Sequence, residues 1–384
     1  MDTDVQGGQS HGAEGWLESG FRAGNDVEAL VNGDQIFPAM LEAMEKARHS
    51  ICLETYIYWN GEIAQKFADA LSKASRRDVE VRVVLDEYGC SQLDDRLLVQ
   101  MRDAGVGIHM YRPVRWLQLR RSNHRSHRKL MIVDRSIGFI GGVGIADEWS
   151  GDARNRSEWR DNHFRVTGPV VHDMERVFDE HWPGDALAVS SDCPVDMDPQ
   201  GSLVAGILAS EPLQNHYEVA MVFATALDRA ESSVHICSPY FLPDDRLKKA
   251  LLAARERGVR VLVVTAGKHT DKQVVRWASR HNWEDLLEAG VEIFEFAPTL
   301  IHVKSMVVDS ILTIVGSANF DVRSARLNDE ACLVVKDRGF AEEEEDRISA
   351  DMKRCSRVTL DGWRSRTLSQ RLLDRSANLL KAHL

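Results

Sequence analysis

The chain has 384 residues, 43% hydrophobic and 28% charged, a globular balance too long for one small core and suited to two lobes of about 180 residues. Its formal net charge of −11 argues against general nucleic-acid binding, so no nucleic-acid partner is expected. No uncharged apolar run approaches the ~20 residues of a transmembrane helix, and the N-terminus lacks a basic stretch followed by an apolar one, so neither a span nor a signal peptide is predicted.

Residues 1–24 are rich in Gly, Asp and Ser without periodicity and read as a disordered or loosely attached tail. A first lobe is expected over 25–185. In it, 27–31 reads as a strand, 36–48 as a helix, 51–58 as a strand, 62–75 as a helix, 79–85 as a strand and 93–104 as a helix ended by Gly105. This alternation predicts an α/β lobe with a mixed, mostly parallel sheet flanked by helices. Residues 186–212 carry the Pro-, Asp- and Ser-rich stretch expected of a linker. A second lobe over 213–384 repeats the order: helix 219–230, strand 234–238, helix 245–257, strand 259–265 and a short helix ended by Gly290. The repeat predicts two pseudo-symmetric lobes with one cleft between them. The six cysteines (Cys52, Cys90, Cys193, Cys237, Cys332, Cys355) have no metal-ligand spacing, and several sit in apolar runs, so buried reduced thiols are expected, with no metal and no cofactor.

The interval from Gly105 to His127 is about ten residues longer than that from Gly290 to His302, and the surplus is basic. Arg112, Arg115, Arg120 and Arg121 interleave with Trp116, a pattern suited to an anionic membrane surface. A solvated loop balancing nearby acids is the plainer alternative.

The chemistry-bearing pattern is duplicated. His127, Lys129 and Asp134 form HxKxxxxD, and Gly141-Gly142 follow; His302, Lys304 and Asp309 repeat it, with Gly316-Ser317 at the same offset. An apolar strand follows each Lys. His and Lys, two apart, project to one face of an extended segment, whereas Asp falls on the other face at the far end and is expected to be structural. An imidazole beside an ammonium suits a phosphodiester: one His attacks phosphorus or moves a proton, and the cation meets the nonbridging oxygens. Two such sets predict one site made of two halves.

These residues, with CLETYIY (52–58), WRDNHFRVTG (159–168), SPYFLP (238–243), GSANFDVRSAR (316–326) and LNDE (327–330), resemble the phospholipase D superfamily, and within it the bacterial cardiolipin synthases, from about residue 25 onward. The resemblance implies metal-independent phosphatidyl transfer from phosphatidylglycerol, through a phosphohistidine, to a second lipid hydroxyl, with release of glycerol. It implies His127 as nucleophile and His302 as general acid. Asp161 and Glu330, each leading into an apolar strand expected to lie beside a motif strand, occupy positions at which the family orients an acid toward the catalytic His; Glu54 is a further candidate. Gly142, Ser317 and Asn319 are implied phosphate-binding positions. The first half departs from the pattern, with Gly144 where the family usually has an Asn. Many cardiolipin synthases begin with membrane-spanning helices and this sequence does not, so a cytoplasmic enzyme, peripheral on the inner membrane face, is expected. Two alternatives stay open: a hydrolytic phospholipase D or other phosphodiesterase, and a lipid-surface binding protein with a decayed first half-site.

Overall fold

The computed structural model describes residues 13–113, 123–184 and 198–379. Its apolar segments form one fifteen-stranded sheet. The strands of the first half are β1 (Arg22–Val31), β2 (Ser50–Thr55), β3 (Glu80–Asp86), β4 (Gly107–Tyr111), β5 (Leu130–Val133), β6 (Ile137–Gly141) and β7 (Asn162–Thr167). Those of the second are β8 (Leu203–Ser210), β9 (Ser233–Cys237), β10 (Arg260–Ala266), β11 (Glu292–Phe296), β12 (Ser305–Val308), β13 (Leu312–Gly316), β14 (Glu330–Lys336) and β15 (Cys355–Val358). Their spatial order is β15-β11-β10-β9-β12-β13-β14-β8-β1-β7-β6-β5-β2-β3-β4. Read outward from the central β8–β1 pair, each half runs through the same seven strands, so the repeat in sequence becomes a pseudo-two-fold in space. β15 alone has no counterpart among the described strands.

The sheet is mixed, but the expectation of mostly parallel pairing does not hold. Parallel ladders are confined to β2-β3-β4 and β9-β10-β11, where a helix crosses between consecutive strands. The motif strands instead belong to antiparallel meanders, β5-β6-β7 and β12-β13-β14, in which tight turns join β5 to β6 and β12 to β13 while longer loops join β6 to β7 and β13 to β14.

Two boundaries also differ from expectation. The tail stops earlier: Ala13–Ser19 is a helix whose Ala13 enters the core of the second half, and Arg22 already belongs to β1. Arg22 is held by an ion pair with Asp173. Within the expected linker, Leu203–Ser210 is a central strand, because β1 and β14 offer it both edges. Cys52, Cys90, Cys237 and Cys332 are buried free thiols and Cys355 is partly buried; Cys193 lies outside the described residues. Among the described residues, no helix is long and apolar enough to cross a membrane.

Candidate active site

Each motif enters its strand alongside the other half of the chain. The amide of His127 donates to the Asp329 carbonyl (2.8 Å), and the Asp329 amide to the Arg125 carbonyl (2.9 Å). The pseudo-symmetric pair repeats this: His302 N–H to Arg160 O (2.7 Å) and Arg160 N–H to Leu300 O (2.9 Å). Asp329 and Arg160 immediately precede Glu330 and Asp161. Each imidazole is therefore delivered to a carboxylate from the opposite half.

His127 Nδ1 lies 3.0 Å from both oxygens of Glu330, and His302 Nδ1 lies 2.8 Å from Oδ2 of Asp161. This differs from the expectation that each acid-bearing strand lies beside its own motif strand. In the sheet, β13 separates β12 from β14 and β6 separates β5 from β7, so the acids reach across the central seam. Both carboxylates are fully buried and anchored. The Ser317 and Ser324 hydroxyls donate to Glu330 Oε2 (2.5 Å) and Oε1 (2.6 Å), and the Trp149 indole donates to Asp161 Oδ2 (2.9 Å). Burial would raise the Glu330 pKa, but the His127 and Lys129 charges and these hydrogen bonds bring it down to about 2. Asp161 is likewise held below its usual range against burial, by Lys304 and His302. With Nδ1 committed to a carboxylate, Nε2 is the ring atom left for chemistry on each histidine.

Lys129 and Lys304 fold back on their own motifs. Nζ of Lys129 donates to the His127 carbonyl (2.8 Å), and Nζ of Lys304 bonds the His302 carbonyl and lies 2.8 Å from its Nδ1. Burial lowers Lys129 to about 7 and Lys304 to about 8. It also lowers His127 to about 3 and His302 to about 4, so both imidazoles are neutral at pH 7 until an anion arrives.

His127, Lys129 and His302 line one cavity of about 310 Å³. Tyr56, Trp159, Tyr240, Ile57 and Val275 form its apolar wall, and Lys272, Arg323, Asn319 and Asn328 its polar one. Tyr56 stands edge-on to His127 (5.3 Å between ring centroids); Trp149 and Trp159 flank His302 (5.2 and 5.8 Å). Asn319 lines the cavity, where its Nδ2 is the group able to donate to a phosphate oxygen; its Oδ1 is buried without a partner. At its counterpart position an Asn would have to displace Ile57, because a Cβ on Gly144 would come within 2.8 Å of Ile57 and 3.3 Å of Trp149.

Other sequence-predicted residues stand elsewhere. Ser317 is spent on Glu330, and the Gly142 amide donates to Asn162 O (3.3 Å), so neither points a free donor at the cavity. Gly142 instead makes room for Asp161, whose carboxylate would lie 2.5 Å from an added Cβ. Glu54 does not touch His127: it bonds His181 Nδ1 and Ser126 Oγ, both at 2.6 Å. Asp134, although placed with the catalytic set, accepts the amides of Arg48, His49 and Ser50 at the far end of β5; Asp309 does the same for Glu231, Ser232 and Ser233. Arg112 faces inward, with Nη2 2.7 Å from Asp329 and 3.6 Å from Glu211, which contradicts its assignment to a lipid-facing surface. Burial of two acids drew it in. That guanidinium also supplies the positive charge for Glu211 and Asp329, which with His181 form a cluster of metal-ligand type. Arg115, Trp116, Arg120 and Arg121 lie outside the described residues. Sequence reasoning missed Tyr56 and Ser324, although both lie inside family-like phrases (52–58 and 316–326), and Trp149, which follows the Gly141-Gly142 pair.

The family model described as "Cardiolipin synthase, PLD-like domain" matches residues 40–182 and 223–352. The chain is 34% identical over 359 residues to cardiolipin synthase A of Pseudomonas fluorescens, covering 93% of this chain and 75% of that protein. It is 33% identical over 362 residues to the cardiolipin synthase of Geobacillus sp., covering 92% and 72%. Among solved structures, phosphatidylserine synthase of Haemophilus influenzae superposes with a TM-score of 0.77 at 15% identity, covering 97% of this chain and 99% of that one. That likeness shows the shared fold.

Proposed function

The chain belongs to the cardiolipin synthase, phospholipase D-like family and is a phosphatidyltransferase of that type; from this premise we propose that it joins two phosphatidylglycerol molecules through a phosphohistidine at an anionic membrane surface. The observation that carries the reading is the reciprocal pairing of two imidazoles in one cavity, each backed by a carboxylate of the other half. In the first displacement, Nε2 of His127 attacks phosphorus, forming a P–N bond as the P–O bond to glycerol breaks. The leaving alkoxide takes the proton of Nε2 of His302, and glycerol departs. In the second, the hydroxyl of another phosphatidylglycerol gives its proton back to His302 and attacks phosphorus. The P–N bond then breaks, freeing His127 and yielding the doubly phosphatidylated glycerol.

The supporting residues follow from this sequence. Glu330 and Asp161 stabilise the imidazolium that forms in front of each. Lys129 and Lys304, each with ammonium protons beyond those bound to the motif carbonyl, compensate the nonbridging oxygens, with Asn319 beside them. The incoming phosphodiester charge raises His302 from about 4 toward the range where it can hold the proton it donates. Arg115, Trp116, Arg120 and Arg121 stay in the proposal as a lipid-facing segment. No metal takes part, so turnover in excess EDTA should match turnover without it.

Incubation of pure protein with phosphatidylglycerol vesicles, followed by mass spectrometry, tests the reading. Cardiolipin and glycerol are expected in equal amounts. Phosphatidic acid as the main product would make water the acceptor and the enzyme a hydrolase. Vesicle binding without any product would leave only the lipid-binding alternative.

A further inference from the structure

The helix Leu368–Asn378 is built inside out. At 3.6 residues per turn, Leu368, Leu372, Arg375 and Leu379 fall on one side, while the buried Asp374 and Ala377 occupy the opposite side. The leucines face solvent: Leu368 is 77% exposed, Leu372 64% and Leu379 82%, with Leu373 at 48% on the flank. A surface helix of a water-soluble body ordinarily buries its leucines and exposes its charges.

Two observations indicate what meets this face. The first is charge. Across 367–379 the one acid, Asp374, is buried and paired with Arg366 and Arg280, whereas Arg371 and Arg375 are exposed beside the leucines. The helix thus offers an apolar and cationic face with no exposed carboxylate of its own; beyond it, Arg326 and the exposed Asp245 share the groove lined by Leu379. The second is position. The helix packs on helix Gln273–His281, and its Ala377 shares an apolar cluster with Tyr240 and Val275, both of which line the catalytic cavity. Exposed Lys268 and Lys272 lie in the segment leading into that neighbouring helix.

We propose that this leucine and arginine face docks on an anionic phospholipid surface, seating the leucines among the acyl chains and holding the adjoining cavity at headgroup level. The proposal rests on the reading that the substrates are membrane phospholipids, and it names the surface by which the site reaches them.

The test is sedimentation of the full chain with vesicles of phosphatidylglycerol and phosphatidylcholine. Replacing Leu368, Leu372 and Leu379 together by Gln keeps helix propensity while removing the apolar face. Partitioning should fall roughly a hundredfold, with far-UV circular dichroism and turnover of a soluble short-chain phosphodiester unchanged. Arg375→Glu should weaken binding to anionic vesicles and leave binding to pure phosphatidylcholine unaltered. Vesicle binding by the triple variant equal to the parent overturns the proposal, as does a parent that ignores anionic vesicles. A parent dimer that the triple variant splits, with vesicle binding retained, overturns it too and makes the face a self-interface. Because binding is read without turnover, a chain that docks through this face yet makes no product supports the surface and sinks the phosphatidyl-transfer reading instead.

Discussion

His127 and Glu330 belong to opposite halves of the chain, yet Nδ1 of one stands 3.0 Å from both carboxylate oxygens of the other. His302 and Asp161 mirror them at 2.8 Å. Neither motif histidine therefore takes its acid from its own half. Fidelity at one imidazole depends on the seam between β1 and β8 as much as on its own motif.

Glu330→Gln preserves size and keeps an acceptor but removes the charge that fixes the His127 tautomer and stabilises its imidazolium. A loss on the order of 10³- to 10⁴-fold in kcat is expected, with little change in KM, by analogy with amide substitution in other histidine–acid pairs. Ser317→Ala, which removes one of two hydroxyls holding Glu330, should cost far less. Steady-state turnover of phosphatidylglycerol checks both; wild-type turnover by the Gln variant would show that Glu330 serves the fold alone.

The lysines predict a pH dependence for anion binding. Burial leaves Lys129 at about 7 and Lys304 at about 8. Each is a cation below its value and neutral above it, so an anion binds best at low pH and takes up protons as it binds. Affinity for dimethyl phosphate, which keeps one charge throughout, should fall as pH rises through this window. Calorimetry in two buffers of different ionisation enthalpy would report the proton uptake. Affinity that is flat between about pH 6 and 9 would contradict the assignment, since free lysine titrates near 10.4.

Gly142→Ala should impair the site without unfolding the lobe. The new Cβ would lie 2.5 Å from the Asp161 carboxylate, which must then move off His302 Nδ1. A fall in kcat of about 10²-fold or more is expected, with unchanged circular dichroism. Turnover equal to the parent would mean that Asp161 can shift without consequence for His302.

Asp134→Asn and Asp309→Asn should do the reverse. Each Asp sits in the left-handed region (φ 50° and 54°), which Asn tolerates, so the exchange keeps the backbone while removing the charge and turning one of the two acceptor oxygens into a donor. Each carboxylate accepts three backbone amides. Losing a charged acceptor should cost about 1–3 kcal/mol in urea unfolding, with kcat per folded molecule retained. A catalytic role would instead appear as lost turnover at unchanged stability.

Much of this was legible in one dimension because it is local. The two-residue spacing of His and Lys sets a shared face on any extended segment, and the seven-residue spacing to Asp sends that carboxylate to the other end of the strand. The alternation of apolar runs with helix-periodic segments set the α/β class, and the matched spacings set the duplication. A run such as Leu203–Ser210 was harder, because whether an apolar stretch links two lobes or fills the sheet centre depends on which edges are free.

The pairing of acid with imidazole was decided only by the tertiary structure. Asp161 and Glu330 were visible as candidates, but sequence distance favours a partner within the same half. The two halves meet through β1 and β8, and this puts the segment before β14 against the segment before β5, where the Asp329 carbonyl receives the His127 amide. The same seam turned Arg112 inward, because Asp329 and Glu211 are buried there and need a counter-charge. Spacing along a strand fixes which side chains share a face. Which charges are buried together depends on the contact between two surfaces that the sequence does not place in order.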